Sequence, residues 1–244
     1  MDVHNGSSQK AKASKCRRDF FSELPNPILE HILSFLPLKD AIKTALLRRF
    51  GDQWHGIRVL DFNSCYYHYN DGPDHNTDHF NEIFTNVIRR VLDLHDNSTL
   101  DRVSLGFCFR LTYTREEPQE PDLADFVEWE ARASAEIEKL IRYAMSRKVK
   151  VLDLDLNGDE PVERWELYKL PDVLRSDDLT YVKLAAFDMT SCNVIDLKSL
   201  KTLVLSNVSL SYGVMEAILL HCPVLQDLSL ARCHCFEVVK CKNP

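Results

Sequence analysis

The side chains best suited to metal chemistry lie near the C-terminus and are of the types that bind zinc: His221, Cys222, Cys233, His234, Cys235 and Cys241. Structural zinc sites commonly use closely paired cysteines or histidines, such as a C-x-x-C knuckle. The cysteines here are spaced C-x10-C-x-C-x5-C, and no such pair occurs among them. We therefore predict no metal site in this region.

A second cluster combines carboxylates with two histidines four residues apart: Asp71, Asp74, His75, Asp78 and His79. On a helix the two imidazoles would share a face, but Gly72 and Pro73 oppose helix formation there. We expect a solvated loop. The seven glycines of the chain allow no G-x-G-x-x-G motif, P-loop or G-x-S-x-G elbow. The sequence therefore predicts no catalytic residue, no cofactor and no enzymatic activity.

Charge and hydropathy restrict the partners and the compartment. The net charge is −7, and residues 1–18 are basic, so the remaining chain is more acidic than the whole. An acidic surface repels a phosphate backbone, which argues against nucleic-acid binding. No apolar run approaches the roughly 20 residues of a membrane helix, and the polar N-terminus does not look like a signal peptide. We expect a cytoplasmic or nuclear protein with reduced cysteines and no membrane association.

The chain divides into four regions. Residues 1–18 are predicted to be a disordered basic tail, 19–62 a compact helical segment, 63–79 a polar linker and 80–244 a repeat region. Apolar residues at spacings of three and four predict helices over about 80–94 and about 122–147.

A short pattern, L-x-x-L-x-L with other aliphatic residues allowed, recurs through the repeat region. Its middle positions are Val103, Leu152, Val182, Leu203 and Leu228, so the steps are 49, 30, 21 and 25 residues. The last three steps lie at or near the period of roughly 20–29 residues of leucine-rich repeats, and the first leaves room for an extra helix. Each copy predicts one strand whose alternate aliphatic side chains point inward, and stacking about five copies buries them in a continuous ladder.

The segment 19–62 contains two predicted helices. Asn26 suits an N-cap and Pro27 the first helical position, and Pro37 ends the first helix. The second helix is predicted over about 39–50, with Ile42, Ala45 and Leu46 buried. Because a segment of this length has little core of its own, we expect its apolar stripe to pack either on a partner protein or on the repeats of the same chain.

The residues Leu24-Pro25-x-x-Ile28-Leu29-x-x-Ile32-Leu33-Ser34-Phe35-Leu36-Pro37-x-Lys39-Asp40-Ala41 closely resemble the F-box of plant F-box/leucine-rich-repeat proteins. Two later segments resemble the repeats of that family, Leu197-x-Ser199-Leu200-Lys201-Thr202-Leu203 and Cys222-Pro223-Val224-Leu225-x-Asp227-Leu228-Ser229-Leu230. About nine-tenths of the chain is covered. The resemblance implies an α/β fold, in which a three-helix F-box precedes an irregular leucine-rich-repeat solenoid.

The resemblance also implies a function. Proteins of this family are substrate receptors of SCF ubiquitin ligases: the F-box docks on a Skp-type adaptor, which links it to a cullin and a RING subunit, and the repeats hold an unknown target. By position, the adaptor-binding face would comprise Leu24, Pro25, Ile28, Leu29, Ile32, Leu33, Leu36, Pro37 and Leu46.

Two departures from the family pattern keep an alternative open. Phe50, Gly51 and Gln53 replace the usual Trp, Arg and Leu, which predicts a weakened third helix of the box. The repeats stop near Cys233 without the family's C-terminal FBD region, which suggests a truncated product with an uncapped edge. The alternative is a repeat-based interaction module whose degenerate F-box engages no ligase.

Overall fold

A computed structural model describes residues 23–47, 51, 53–63, 77–96, 99–106, 123–157 and 167–236, with the backbone alone at 77–84, 123–130 and 235–236. The predicted tail at 1–18 lies outside these residues. So do residues 64–76, which include most of the predicted linker and three members of the Asp/His cluster, Asp71, Asp74 and His75.

Two short helices follow the prolines of the N-terminal segment. Helix α1 spans Asn26–Leu33 and α2 spans Leu38–Lys43, and Pro25 and Pro37 occupy their N-cap positions. The assignment of Asn26 as the N-cap was wrong, because the carbonyl of Pro25 already accepts hydrogen bonds from the amides of Ile28 and Leu29, at 3.0 and 3.2 Å. Asn26 is therefore the first helical residue.

The chain after α2 winds more tightly than predicted. A 3-10 turn over Thr44–Leu46 replaces the expected continuation of the second helix, and another spans Gln53–Gly56. A 3-10 turn advances about 120° per residue instead of 100°. Ala45 and Leu46 consequently point to solvent, not into the core as predicted. The three-helix form of the box is not confirmed by the described residues.

Six parallel strands form the main sheet, in the order β1-β2-β3-β6-β9-β11. Their bounds are Val59–Asn63, Arg102–Gly106, Val151–Asp155, Tyr181–Ala185, Thr202–Ser206 and Asp227–Ala231.

The register of this sheet follows the L-x-x-L-x-L pattern. Val103 pairs with Leu152, Leu152 with Val182, Val182 with Leu203, and Leu203 with Leu228. The first four of these side chains are at most 3% exposed. The main sheet therefore contains a strand at each of the five predicted positions, and the middle aliphatic side chain is buried in the first four and exposed in the fifth.

The first strand of the sheet was not predicted. In β1, Leu60 pairs with Val103 and Phe62 with Leu105. Ile57, Leu60 and Phe62 are each at most 1% exposed, and they repeat the apolar pattern with an aromatic residue in the last position. Strand β1 thus spans the predicted division at 62/63, and that division stays a prediction.

Two long helices lie between the early strands, close to the predicted ranges. Helix α3 spans Thr77–Leu94 and α4 spans Leu123–Ser146, and the two pack together. Among the described residues no helix combines the length and the apolar character needed to span a membrane.

Shorter elements complete the later repeats. A four-stranded parallel sheet has the order β12-β10-β7-β4, β5 pairs with β8, and helix α5 spans Tyr212–His221. The strand bounds are Tyr168–Lys169, Val173–Ser176, Phe187–Asp188, Val194–Leu197, Ser209–Ser211 and His234–Phe236 for β4, β5, β7, β8, β10 and β12. Ala186, Asn207 and Arg232, which directly follow β6, β9 and β11, have φ of 66°, 51° and 53°. The chain therefore turns the same left-handed corner after each of these strands.

Candidate protein-docking surface

Helix α1 presents apolar side chains on two different sides. Leu29 and Leu33, four residues apart, share a face and are 0% and 1% exposed, whereas Ile28 is 46% exposed. The helix ends at Leu33, so Phe35 and Leu36 follow it in a turn and remain exposed. The apolar residues of this segment therefore contribute to two surfaces, one buried and one exposed.

The inner surface of this segment packs on the repeat array. Leu33, Leu38, Ala41 and Trp54 belong to the same buried cluster as the inward residues of the sheet. Helix α1 contacts the 3-10 turn Gln53–Gly56, and α2 contacts β1. The segment is therefore continuous with the array core and does not form a separate small domain.

A close approach of α1 to Gly56 defines this contact. A Cβ atom at Gly56 would lie 3.1 Å from both Cδ of Glu30 and Oδ2 of Asp96. The absence of a side chain at this position lets the carboxylate end of Glu30 and the loop after α3 approach the turn.

Five large side chains of this segment are exposed within 20 residues of sequence, and we call this set the docking patch: Ile28, Phe35, Leu36, Leu46 and Leu47. Leu46 is 90% and Phe35 is 75% exposed. The flanking Pro25 and Pro37 are exposed as well. Isolated exposed apolar residues are normal, but a concentration of large ones marks an interaction surface.

The predicted adaptor-binding residues divide between these surfaces. Those exposed are Pro25, Ile28, Leu36, Pro37 and Leu46, those half-buried are Leu24 and Ile32, and those buried are Leu29 and Leu33. Leu29 and Leu33 are covered by this chain itself, and the docking role of all nine residues stays a prediction. Phe35 and Leu47, which were not among the predicted residues, are also exposed and stand beside Leu36 and Leu46.

The solvent-facing side of the main sheet is a second candidate surface. Across its strands, Arg102 lies 3.1 Å from Asp153, and the Lys183 ammonium lies 3.6 Å from Asp153 and 2.8 Å from Asp155. Partial burial lowers the pKa of Lys183, but its hydrogen bond to Asp155 and the two carboxylate charges outweigh this, and the net pKa is raised. The opposite charges on these three strands largely neutralise one another. Val151 of β3 pairs with Tyr181 of β6 on the same strands.

The environments of the described cysteines favour a structural role. Burial raises the pKa values of the Cys192 and Cys222 thiols, which disfavours the nucleophilic thiolate. The Cys233 thiol lies 3.5 Å from the carbonyl of Leu205 and links the last two strands of the sheet. Within the described part of the chain, no three His, Cys, Asp or Glu side chains are grouped to hold a metal ion. The side chain of Cys235 and all of Cys241 lie outside it.

Comparisons with known proteins cover both halves of the chain. Residues 137–244 match the family model described as FBD-associated F-box protein At5g56370, LRR repeats. Two Arabidopsis thaliana relatives span nearly the whole chain: F-box/FBD/LRR-repeat protein At1g78750, 28% identical over 95% of this chain, and F-box/LRR-repeat protein 13, 27% identical over 98%. F-box/LRR-repeat protein At3g59200 of the same plant is 31% identical over 87% of this chain and 36% of its own length.

This chain spans 46% of the length of each of the first two relatives, or about half. No solved structure matches it significantly. The matches confirm the family resemblance predicted from the sequence.

Proposed function

We propose that this chain, a relative of the plant F-box/leucine-rich-repeat proteins, is the substrate-recognition subunit of an SCF-type ubiquitin ligase. In this role the docking patch binds a Skp-type adaptor, which connects the chain to a cullin and a RING subunit. The repeats hold a target protein in the cytoplasm or nucleus. The chain performs no chemical step itself and raises the concentration of target lysines near a ubiquitin-loaded enzyme.

The docking patch is the observation that carries this proposal. Its two short helices present Ile28 on one and Leu46 just after the other, while Leu33 at the end of the first helix belongs to the core shared with the array. A surface of this kind suits recognition by helix packing, in which apolar anchors enter a groove on the partner. The anchored inner face holds the patch at a fixed place relative to the repeats.

Fixed geometry matters for a receptor of this class. We call the described residues from 23 to 56 the docking segment. One buried cluster contains Leu38 and Trp54 of this segment together with Leu205 of the later repeats. A target bound on the strand face would therefore be held in a defined position relative to the adaptor. The self-neutralised charges around Lys183 favour a target surface of mixed polarity over a strongly charged one.

The proposal is tested by co-expressing the full chain with a plant Skp-type adaptor and measuring co-purification. Ile28→Asp and Leu46→Asp each place a charge on the docking patch without entering the core, and each is expected to abolish co-purification. Val173→Asp, at a side chain exposed to a similar degree (49%) on β5, is the matched control and should retain it. Unchanged recovery with both patch variants would overturn the proposal.

In a second candidate function, the repeats bind a target protein and the F-box segment engages no ligase. It is favoured by the early end of α2 at Lys43 and by the 3-10 turn at Gln53–Gly56, where the family pattern leads one to expect a third helix. A chain of this kind would bind its target without the adaptor. Failure of the wild-type chain to co-purify with any Skp-type adaptor, with its fold intact, would favour this alternative.

A further inference from the structure

The residues at the start of β1, β2, β3 and β6, which lie side by side in the main sheet, form two aligned levels. Main-chain hydrogen bonds align the first level: the amide of Asp101 donates to the carbonyl of Arg58 at 2.7 Å, and the amide of Thr180 donates to that of Lys150 at 2.9 Å. The register of the sheet aligns the second level. The eight side chains, all exposed or half-buried, are Arg58, Asp101, Lys150 and Thr180 in the first level and Val59, Arg102, Val151 and Tyr181 in the second.

These two levels carry an excess of positive charge. Asp101 is their one carboxylate, and it lies 3.1 Å from Arg58 and 2.8 Å from Lys150. Arg102 is the third cation, and its guanidinium lies 3.1 Å from Asp153, further along the sheet. Because Asp101 is shared by two cations, the start of the sheet remains positive.

The next two levels of the same strands carry the opposite excess. Their outward positions are Asp61, Ser104, Asp153 and Lys183 in the third level and Asn63, Gly106, Asp155 and Ala185 in the fourth. Lys183 is the one cation among them, and its ammonium is shared by Asp153 and Asp155. Asp61 accepts a hydrogen bond from the amide of Asn63 at 3.2 Å and has no cation partner in the described part of the chain. The ends of these strands are therefore negative.

Half-buried apolar side chains lie between the two charged zones. Val151 pairs directly with Tyr181 in the second level, and Val59 lies at the same level on β1. Neighbouring strands are about 4.8 Å apart, so Val151 and Tyr181 form one small patch. The face thus presents, in strand direction, positive charge, an apolar patch and negative charge.

We propose that this face binds a helix of the target protein that carries Asp or Glu at position i, an apolar residue at i+3 or i+4, and Lys or Arg at i+7. The inference rests on the proposed function and names the class of target that the repeats recognise. Positions i and i+7 of a helix are about 10.5 Å apart along its axis. The three residues from Arg58 to Asp61 span about 10 Å of strand, so the two charged positions match the two charged zones.

A helix fits this spacing better than an extended segment does. Helical residues at i, i+3 or i+4, and i+7 share one face, so all three side chains reach the sheet together. In an extended segment the residues about 10 Å apart are three positions apart, and they point to opposite sides. The proposed order also suits the helix itself, because an acidic residue near its N-terminus and a basic residue near its C-terminus are both stabilising.

The test selects peptides that bind the immobilised full chain. The library is an alanine-rich helix of about 16 residues, randomised at i, i+3, i+4 and i+7. Acidic residues at i and basic residues at i+7 are each expected to be enriched about two- to fivefold per round, as for one exposed ion pair. A second library of fully random peptides covers other occupants, and strong binders from it without the i, i+3 or i+4, i+7 pattern would overturn the helix.

Variants of the chain assign each preference to its zone. Combining Arg58→Glu with Lys150→Glu should reverse the preference at i and leave that at i+7 unchanged. Asp61→Asn keeps the oxygen that accepts from the amide of Asn63 and should remove only the preference at i+7. Arg175→Glu changes an exposed cation of β5, outside the main sheet, and is the matched control that should alter neither preference.

The absence of enrichment on the wild-type chain, or the same enrichment on all variants, would overturn the proposal. Enrichment of bases at i and acids at i+7 would overturn it as well. The selection contains no adaptor, so its failure leaves adaptor co-purification unchanged. Loss of co-purification with both charge preferences intact would overturn the ligase role alone.

Discussion

The imidazole Nε2 of His95 lies 2.7 Å from the main-chain oxygen of Ile57, which joins the loop after α3 to the beginning of the first repeat. The other ring nitrogen, Nδ1, lies 2.6 Å from the hydroxyl of Tyr143 on α4. A carbonyl can only accept, so the proton of the neutral ring sits on Nε2 and Nδ1 accepts from Tyr143. One buried histidine therefore links the beginning of the first repeat to both long helices.

This arrangement predicts a loss of stability in mild acid. Burial lowers the pKa of His95 below its ordinary value of 6.5, although its hydrogen bond to Ile57 opposes the shift. The unfolded chain then binds a proton more readily than the folded chain, so the contribution of His95 is complete above about pH 6.5 and is lost as the pH falls. Urea midpoints at pH 7.5 and 5.5 measure the effect.

The control for this prediction is His95→Gln, which can still donate to the Ile57 carbonyl but does not titrate. We expect this variant to lose less stability than the wild type over the same pH interval. An equal loss in both proteins would show that other groups cause the acid sensitivity.

Adjacent residues of α1 should respond very differently to truncation. Leu29→Ala removes a fully buried side chain and is expected to cost about 2–5 kcal/mol in the free energy of unfolding. Ile28→Ala should cost less than about 1 kcal/mol, because nearly half of that side chain is already in water. Denaturant unfolding measures both, and equal costs would contradict the two-faced description of the helix.

Two glycines of the docking segment offer a second matched pair. A Cβ at Gly51 would meet no atom within 4 Å, and the backbone there is not left-handed. Gly51→Ala is therefore expected to stabilise the fold by about 0.4–1 kcal/mol, because it restricts the unfolded chain. Gly56→Ala should instead destabilise it, since Glu30 and Asp96 must move to make room. A lower melting temperature for Gly51→Ala and a higher one for Gly56→Ala, each relative to the wild type, would contradict this description of the turn.

The position of β1 predicts where the chain can be cut. A fragment of residues 64–244 lacks Leu60 and Phe62 and leaves Val103 and Leu105 of β2 without the strand that covers them. We expect this fragment to unfold at a clearly lower denaturant concentration than a fragment of residues 51–244, which retains β1. Similar midpoints for the two fragments would show that β1 adds little to the array.

Local patterns alone predicted the strands of the repeats. Alternate side chains of a strand point to opposite faces, so Leu152-x-Leu154 and Leu203-x-Leu205 determine both the strand and its inward face. Equal spacing within each copy then determines the register, which the structure reproduces from Val103 to Leu228. The 49-residue step between Val103 and Leu152 correctly indicated an inserted helix, which is α4.

Tertiary structure determined which residues of the docking segment are buried and which are exposed. Ile28 and Leu29 are chemically alike, and no local rule states which one the chain buries, because both possible faces of α1 are apolar. The first strand was hidden because Phe62 replaces an aliphatic residue at the end of the pattern. Leu38 and Ala41 of α2 belong to the shared core and α2 contacts β1, whereas Leu46 stays outside, which no local pattern distinguishes. The sequence determined which residues are apolar and how they repeat, and long-range packing determined which of them the chain buries and which it leaves exposed.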